Sequence, residues 1–212
     1  DIRLVDQVYH HVLGWIARYD PAVVCSFDAH IGGNTKVCNA DIEKGAKTGN
    51  VYLVEHGIES SELNPEEYPT DVVQEIKENL NLPLDRQVVS FVARIHPQKR
   101  PMDFVELARR FADDQSKIFL MVGDGPLASQ VEDEIARLDL RNIVRHTFYK
   151  PIADIYAISD VLVLPSEYEA TPLVLLEAQA MGRPLVVTDV GNNREILDQT
   201  RGGQVVDRIG DI

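Results

Sequence analysis

Between residues 85 and 207, short runs of Val, Ile and Leu alternate at regular intervals with amphipathic stretches. The apolar runs at 88–94, 118–123, 143–148, 161–165, 185–189 and 204–206 have the length and β-branched content of strands, and their continuity suits strands covered on both faces. The stretches at 102–114, 127–138, 152–159, 172–182 and 193–199 place apolar residues at helical spacing. Such a series predicts an α/β fold built on a doubly wound parallel sheet of about six strands, joined by right-handed crossovers. Ligands of open sheets of this kind lie outside the carboxyl ends of the strands. The polar residues that follow each run are therefore the first place to look for chemistry.

The first 85 residues are less regular. Val5, Val8, Val12, Leu13 and Ile16 recur at helical spacing and predict a helix over 4–18, which Pro21 ends. Residues 22–26 have the pattern of a short buried strand, 30–50 of a loop with one helix near 39–44, and 51–54 of a strand. Pro65 and Pro69 mark a boundary before the regular series begins.

Composition narrows the function classes. The chain has 212 residues, 44% hydrophobic and 26% charged, which is ordinary for a globular chain and enough for one domain plus part of another. A formal net charge of -13 argues against a general nucleic-acid binder, although a local basic cluster can still hold a small anion. Cys25 and Cys38 have neither metal-ligand spacing nor a disulfide framework, so a reducing compartment is expected. No stretch has the make-up of a signal peptide, and no apolar run approaches the about 18 residues of a membrane span. The expectation is a cytoplasmic chain without a transmembrane segment, and the start at Asp1 suggests a piece of something longer. The histidines are scattered and suggest no metal constellation, and no G-x-S-x-G marks a nucleophilic serine.

Four strand ends carry candidate site residues. After the first run, Arg94, His96, Lys99 and Arg100 put four potentially cationic side chains in seven positions, either a phosphate clamp or a solvated loop paired with nearby acids. After the second, Gly123-Asp124-Gly125-Pro126-Leu127-Ala128 meets the loose G-x-G-x-x-G/A dinucleotide pattern. The next strand ends in Phe148-Tyr149-Lys150 with no ribose-binding acid, and Pro126 removes a loop N–H, so a tight turn that needs glycine competes with that reading. The Phe148-Tyr149 pair itself suits either the flank of a flat ring or packing at the sheet edge.

The fourth strand end is followed by Ser166-Glu167-Tyr168-Glu169-Ala170-Thr171-Pro172 and an apolar helix containing Glu177. The helix is expected to start at Thr171-Pro172, with Thr171 as cap and Pro172 at the first position, leaving the amides of Leu173 and Val174 available. A carboxylate on so apolar a helix needs a structural partner or a ligand with hydroxyl or cationic groups. At the far end, 189–195 can edge a crevice or simply cap a helix through Asn192 or Asn193. Cations, a helix N-terminus and an acid that can accept from hydroxyls together suit a diphosphate, a ribose and a sugar.

The ordered motifs from 51 to 206 resemble the donor-binding half of the family 4 retaining glycosyltransferases of the GT-B fold. Val54-Glu55-His56-Gly57-Ile58 is similar to the family's hinge, with His56 in place of Asn. Arg94 and Lys99 match its phosphate pair, with Arg100 in place of the customary Gly, and Gly123-Asp124-Gly125-Pro126 matches its turn. Glu169 to Glu177 match its two glutamates, with Pro172 in place of a common Gly, and Gly182-Arg183-Pro184-Leu185-Val186-Val187-Thr188 and Gly202-Gly203-Gln204-Val205-Val206 complete the series.

The resemblance implies a Rossmann-like domain over 56–212, one half of a GT-B fold, preceded at 1–55 by the end of an acceptor-side domain and the linker. It implies a glycosyltransferase of hexosyltransferase type that takes a nucleotide-diphosphate sugar as substrate, uses no cofactor and no metal, and transfers to a sugar, lipid or small-molecule acceptor. Arg94, Lys99 and the amides of Leu173 and Val174 would hold the diphosphate, Glu177 the ribose and backbone near Tyr149 the base, while Glu169 would act catalytically at the donor sugar. The acceptor domain and the C-terminal tail of the family are not in the sequence, so the 212 residues are expected to bind nucleotide weakly and transfer little. Alternative expectations are another GT-B enzyme, such as a glycan phosphorylase or sugar-nucleotide epimerase, or a non-catalytic nucleotide-sugar sensor.

Overall fold

A computed structural model describes residues 3–8 and 21–207 of the chain. Six parallel strands, β4 (Gln87–Val92), β5 (Lys117–Val122), β6 (Ile143–His146), β7 (Val161–Leu164), β8 (Leu185–Thr188) and β9 (Gly203–Val206), form one sheet in the order β6-β5-β4-β7-β8-β9. The chain starts in the middle at β4, winds outward to β6, returns beside β4 at β7 and winds outward again. That places a topological switch point between β4 and β7, where ligands of doubly wound sheets bind.

Both faces of the sheet are covered, as the continuous apolar runs predict. Successive residues of β4 point to opposite faces. Val88 and Val92 join Ile76, Leu80, Ile155, Tyr156, Leu175 and Ala178 in one buried layer, and Val89 and Phe91 join Phe104, Val105, Phe119 and Val131 in the other. The helices behind these layers are α3 (Thr70–Asn79), α4 (Pro101–Arg110), α5 (Ala128–Arg137), α6 (Ile152–Ile158), α7 (Leu173–Ala180) and α8 (Asn193–Thr200). Helix α3 was not expected from the sequence. Its Ile76 is buried with Leu80 and Leu82 under the sheet, and Val72 and Val73 pack against the same layer, so tertiary burial defines the helix.

The N-terminal part corrects two expectations. Residues 5–8 form strand β1 (Val5–Val8), not helix, because they pair in parallel with β2 (Ala29–Gly32), which in turn pairs with β3 (Val51–Leu53). Four-residue windows rich in Val satisfy either periodicity, and the distant partner decides. The rest of the expected helix, from residue 9, lies outside the described residues. Where a strand was expected at 22–26, Pro21–Val24 is the short helix α1, closed by a bond from the Cys25 amide to the Pro21 carbonyl at 2.9 Å. Helix α2 (Thr35–Glu43) is longer than expected, because the Asn34 side chain caps it by accepting from the Val37 amide at 2.9 Å. Among the described residues, no helix is long and apolar enough to cross a membrane.

Candidate functional site

A crevice of about 960 Å³ opens at the carboxyl ends of β4, β5 and β6. Its walls come from Arg94 after β4, Gly123 and Asp124 after β5, Phe148 and Tyr149 after β6, and the first turns of α7. Gly57 and Ile58, which follow β3, close one side. Of the seven residues nominated from the sequence, the structure brings Arg94, Tyr149, Leu173, Val174 and Glu177 to this one surface, while Lys99 and Glu169 stand outside its lining.

Glu177 resolves the alternative posed by its apolar helix, because it has both a structural partner and an open face. The hydroxyl of Tyr156, a fully buried ring, donates to Glu177 Oε2. Among the described residues Oε1 has no hydrogen-bond partner, and Glu177 lines the crevice. Burial, then the adjoining carboxylate, pushes the Tyr156 hydroxyl far above the usual phenol range, so it remains a donor at any ordinary pH.

The start of α7 differs from expectation. Pro172 occupies the cap position instead of the first helical one, and no side chain caps the helix. Thr171 is drawn away, its Oγ1 donating to the Gly33 carbonyl at 3.4 Å, where the turn before α2 meets the loop after β7. Asn34 Nδ2 makes a similar bond to the Ala170 carbonyl at 3.3 Å, and Lys36 Nζ one to Gly191 at 2.5 Å. The consequence is an N-terminus at Leu173 and Val174 that no side chain covers and that faces the crevice.

The cationic loop divides into distinct parts. Arg94 is exposed, lines the crevice and has no ion-pair partner among the described residues. His96 Nδ1 accepts from the Gln98 amide at 3.2 Å and caps the following turn, and Arg100 pairs with Asp103 at 2.8 Å. Lys99 pairs with Glu169, whose Oε1 also accepts from Ser166 Oγ at 2.7 Å. Glu169 is only 7% exposed, so the ion pair is the means by which its charge is held under the loop. Arg100 adopts a left-handed backbone, with φ 49 and ψ 54. The loop therefore keeps the course that glycine would allow, with a larger side chain at the turn.

The Gly123-Asp124-Gly125 segment is a tight turn that requires glycine. A Cβ on Gly123 would stand 1.9 Å from the Ala93 carbonyl oxygen, and one on Gly125 2.5 Å from that of Ile95. The Ile95 amide donates to the Asp124 carbonyl at 2.8 Å, so the two strand-end loops are laced together. Arg145, which the sequence pattern did not single out because it sits in an apolar run, fastens this turn from β6 by donating to the Gly123 carbonyl at 3.2 Å and to Asp124 at 3.3 Å.

Beyond β6, Tyr149 is half-buried and its hydroxyl donates to Asp154 at 2.9 Å, while Tyr68 donates to the other oxygen of Asp154 at 3.0 Å. Burial, with Asp154 second, pushes both phenols up to about 12. Phe148 is 71% exposed on the crevice wall. The 189–195 turn contributes nothing to the lining, and the Asn193 side chain donates to the Thr188 carbonyl at 3.1 Å.

A sequence profile described as "Glycosyl transferases group 1" matches residues 72–209, well over half of the chain. A D-inositol 3-phosphate glycosyltransferase 2 from Catenulispora acidiphila is 32% identical over 177 residues, covering 76% of this chain and 40% of the relative. A UDP-Gal:alpha-D-GlcNAc-diphosphoundecaprenol alpha-1,3-galactosyltransferase from Escherichia coli is 27% identical over 163 residues, covering 74% of this chain and 41% of the relative. The chain thus spans about 40% of the length of these curated relatives. Among solved structures, Anabaena Alr3699/HepE in complex with UDP and glucose superposes with a TM-score of 0.80 at 17% identity, over 98% of this chain and 58% of that one. Neighbours of this kind share the GT-B architecture, and the six-stranded parallel sheet is one Rossmann-like half of it. By profile, by sequence relatives and by fold, the chain belongs to the group 1 glycosyl transferases.

Proposed function

We propose that the crevice binds a nucleoside diphosphate sugar and that the chain is the donor-binding half of a retaining, family 4 glycosyltransferase. The observation that carries the proposal is the convergence of Arg94, Tyr149, the start of α7 and Glu177 on one surface at the switch side of the sheet. Arg94 and the Leu173 and Val174 amides offer a guanidinium fork and a positive helix end to the diphosphate. The free Oε1 of Glu177 accepts from ribose hydroxyls while Tyr156 holds the other oxygen in place. The base lies along the backbone of Phe148 and Tyr149, next to the exposed Phe148 ring.

In this reading the departing diphosphate is stabilised by fixed cations and dipoles, without a metal at the reacting centre. Lys99 retains donors beyond the one given to Glu169, and turns them to the phosphates. Glu169, on the loop that leads into α7, contacts the donor sugar beside the bond that breaks. UDP in the related Anabaena structure makes a uridine nucleotide the first ligand to try. Because the relatives are more than twice as long as their matched portions, the acceptor would be held by the rest of the protein, and the 212 residues would bind donor with little transfer. The free thiols of Cys25 and Cys38 support a cytoplasmic setting.

Calorimetric titration with UDP-, GDP- and ADP-sugars tests the proposal on the parent chain and on Arg94→Ala. One nucleotide should bind the parent, and the variant should bind it about 10-fold or more weakly, the loss expected for one charged hydrogen-bond partner. Equal binding to both chains, or to neither, would sink the assignment of the crevice.

A further inference from the structure

Outside the crevice, one group of titratable side chains is not used by the proposed function. Asp6 of β1 and His30 of β2 are register partners in the parallel pair and project to the same face. Asp41, on α2, closes over them. Asp6 is 8%, His30 1% and Asp41 0% exposed, and one ligand atom from each lies within 4.8 Å of the others.

The hydrogen bonding at His30 assigns its tautomer. Nε2 lies 3.1 Å from the Val24 carbonyl oxygen, which can only accept, so Nε2 carries a proton. In the neutral ring Nδ1 then presents a lone pair. That lone pair faces carboxylate oxygens, Asp6 Oδ2 at 3.7 Å and Asp41 Oδ1 at 3.9 Å. These separations exceed hydrogen-bond reach, and among the described residues His30 Nδ1 and both Asp41 oxygens have no hydrogen-bond partner. The unpaired acceptors of His30 and Asp41, directed at one buried point, are mutually repulsive unless a cation stands between them.

The spacing suits such a cation. Donor atoms about 2.0–2.1 Å from a tetrahedral zinc ion stand roughly 3.3 Å from one another, so the carboxylates at 3.7 and 3.9 Å from Nδ1 would draw in around the ion, and toward each other from within 4.8 Å. Asp6, His30 and Asp41 each supply one donor atom, and a water takes the fourth position of such a three-ligand site. Two carboxylates and a neutral imidazole cancel the charge of a divalent ion. The bond from Nε2 to the Val24 carbonyl is the outer contact that metal-bound histidines commonly have.

We propose that Asp6, His30 and Asp41 form a binding site for a divalent transition-metal ion, zinc by donor set and geometry, which fastens β1, β2 and α2 together. The site lies away from the crevice, whose lining includes none of the three residues. It departs from the expectation that the histidines form no metal constellation. The spacing of 24 and then 11 residues along the chain matches no local ligand motif, and only the parallel pairing of β1 with β2 brings the residues together.

The test uses the tag-free 212-residue chain, stripped with a chelator and titrated with zinc against a chromophoric competitor. One equivalent should bind with a rise in melting temperature, and cobalt in its place should give the intense visible bands of a tetrahedral site. His30→Gln and Asp41→Asn, checked by circular dichroism, should lose more than the about 10–100-fold in affinity that removal of an outer contact costs, together with the zinc-dependent melting shift. Replacing His10 and His11 by Ala should leave binding intact. The proposal is overturned if the parent takes up no zinc, if binding follows His10 and His11, or if imidazole NMR shows His30 doubly protonated near neutral pH and zinc cannot displace that proton. The cobalt spectrum of the chain with His10 and His11 replaced by Ala decides the matter even if His30→Gln or Asp41→Asn fails to fold.

Discussion

Replacing Glu177 by Gln separates the two roles that the structure gives this residue. The amide is nearly isosteric, and its oxygen can still accept from the Tyr156 hydroxyl, so the buried contact survives in neutral form. Exchange of a charged acceptor for a neutral one in that contact should destabilise the fold by about 1 kcal/mol. On the crevice side the change is larger, because Oε1 becomes an NH₂ group that donates where a ribose hydroxyl also needs to donate. Loss of a charge-assisted hydrogen bond costs about 1.5–3 kcal/mol, or roughly 10–150-fold in Kd. Calorimetric titration with UDP, paired with thermal unfolding of the ligand-free proteins, measures the two effects independently. The reasoning fails if affinity is unchanged, which would leave Glu177 a structural acid. It fails equally if the ligand-free variant loses the several kcal/mol typical of a broken buried network.

Arg100→Gly should raise stability by about 0.5–1 kcal/mol, since glycine relieves the left-handed backbone while the part-exposed pair with Asp103 contributes little; chemical denaturation reads the change. Gly123→Ala should lower it by on the order of 3 kcal/mol and weaken nucleotide binding, because the added methyl would meet the Ala93 carbonyl and force the two loops apart; a near-normal denaturation midpoint would contradict the turn geometry. Alkaline melting curves should show stability falling as pH rises from about 10 to about 12. Tyr68 and Tyr149 have folded-state values raised from 10.0 to about 12, so the folded state binds more protons across that window and its advantage disappears as both phenols ionise. Asp154→Asn should flatten that slope, because it removes the carboxylate that both hydroxyls face.

The six-stranded sheet was legible because its inner strands β4, β5, β7 and β8 are buried on both faces, which leaves continuous apolar runs that few other structures produce. The position of Arg94 and Glu177 on the crevice was legible for a related reason: a charge that directly follows such a run, or interrupts an apolar helix, falls at the strand ends where the sheet topology opens a cleft. Strand β1 was not legible. Its four residues acquire their conformation from a partner more than twenty positions away, and Val satisfies helical and strand periodicity alike over so short a window. The same holds for Thr171, whose expected capping bond is replaced by one to Gly33 across the fold, and for Lys99, whose charge is directed to Glu169 seventy residues later. Long-range partners of this kind leave no periodic trace.

The central claim is that one surface, from the end of β4 to the second turn of α7, holds a nucleoside diphosphate. The most direct test is backbone-amide NMR of the isotope-labelled chain titrated with UDP. The account predicts that shifts concentrate at Arg94, Gly123, Phe148, Tyr149, Leu173, Val174 and Glu177, with the Leu173 and Val174 amides moving downfield as they donate to phosphate oxygens. Saturating shifts confined to other residues, or none at millimolar nucleotide, would contradict it.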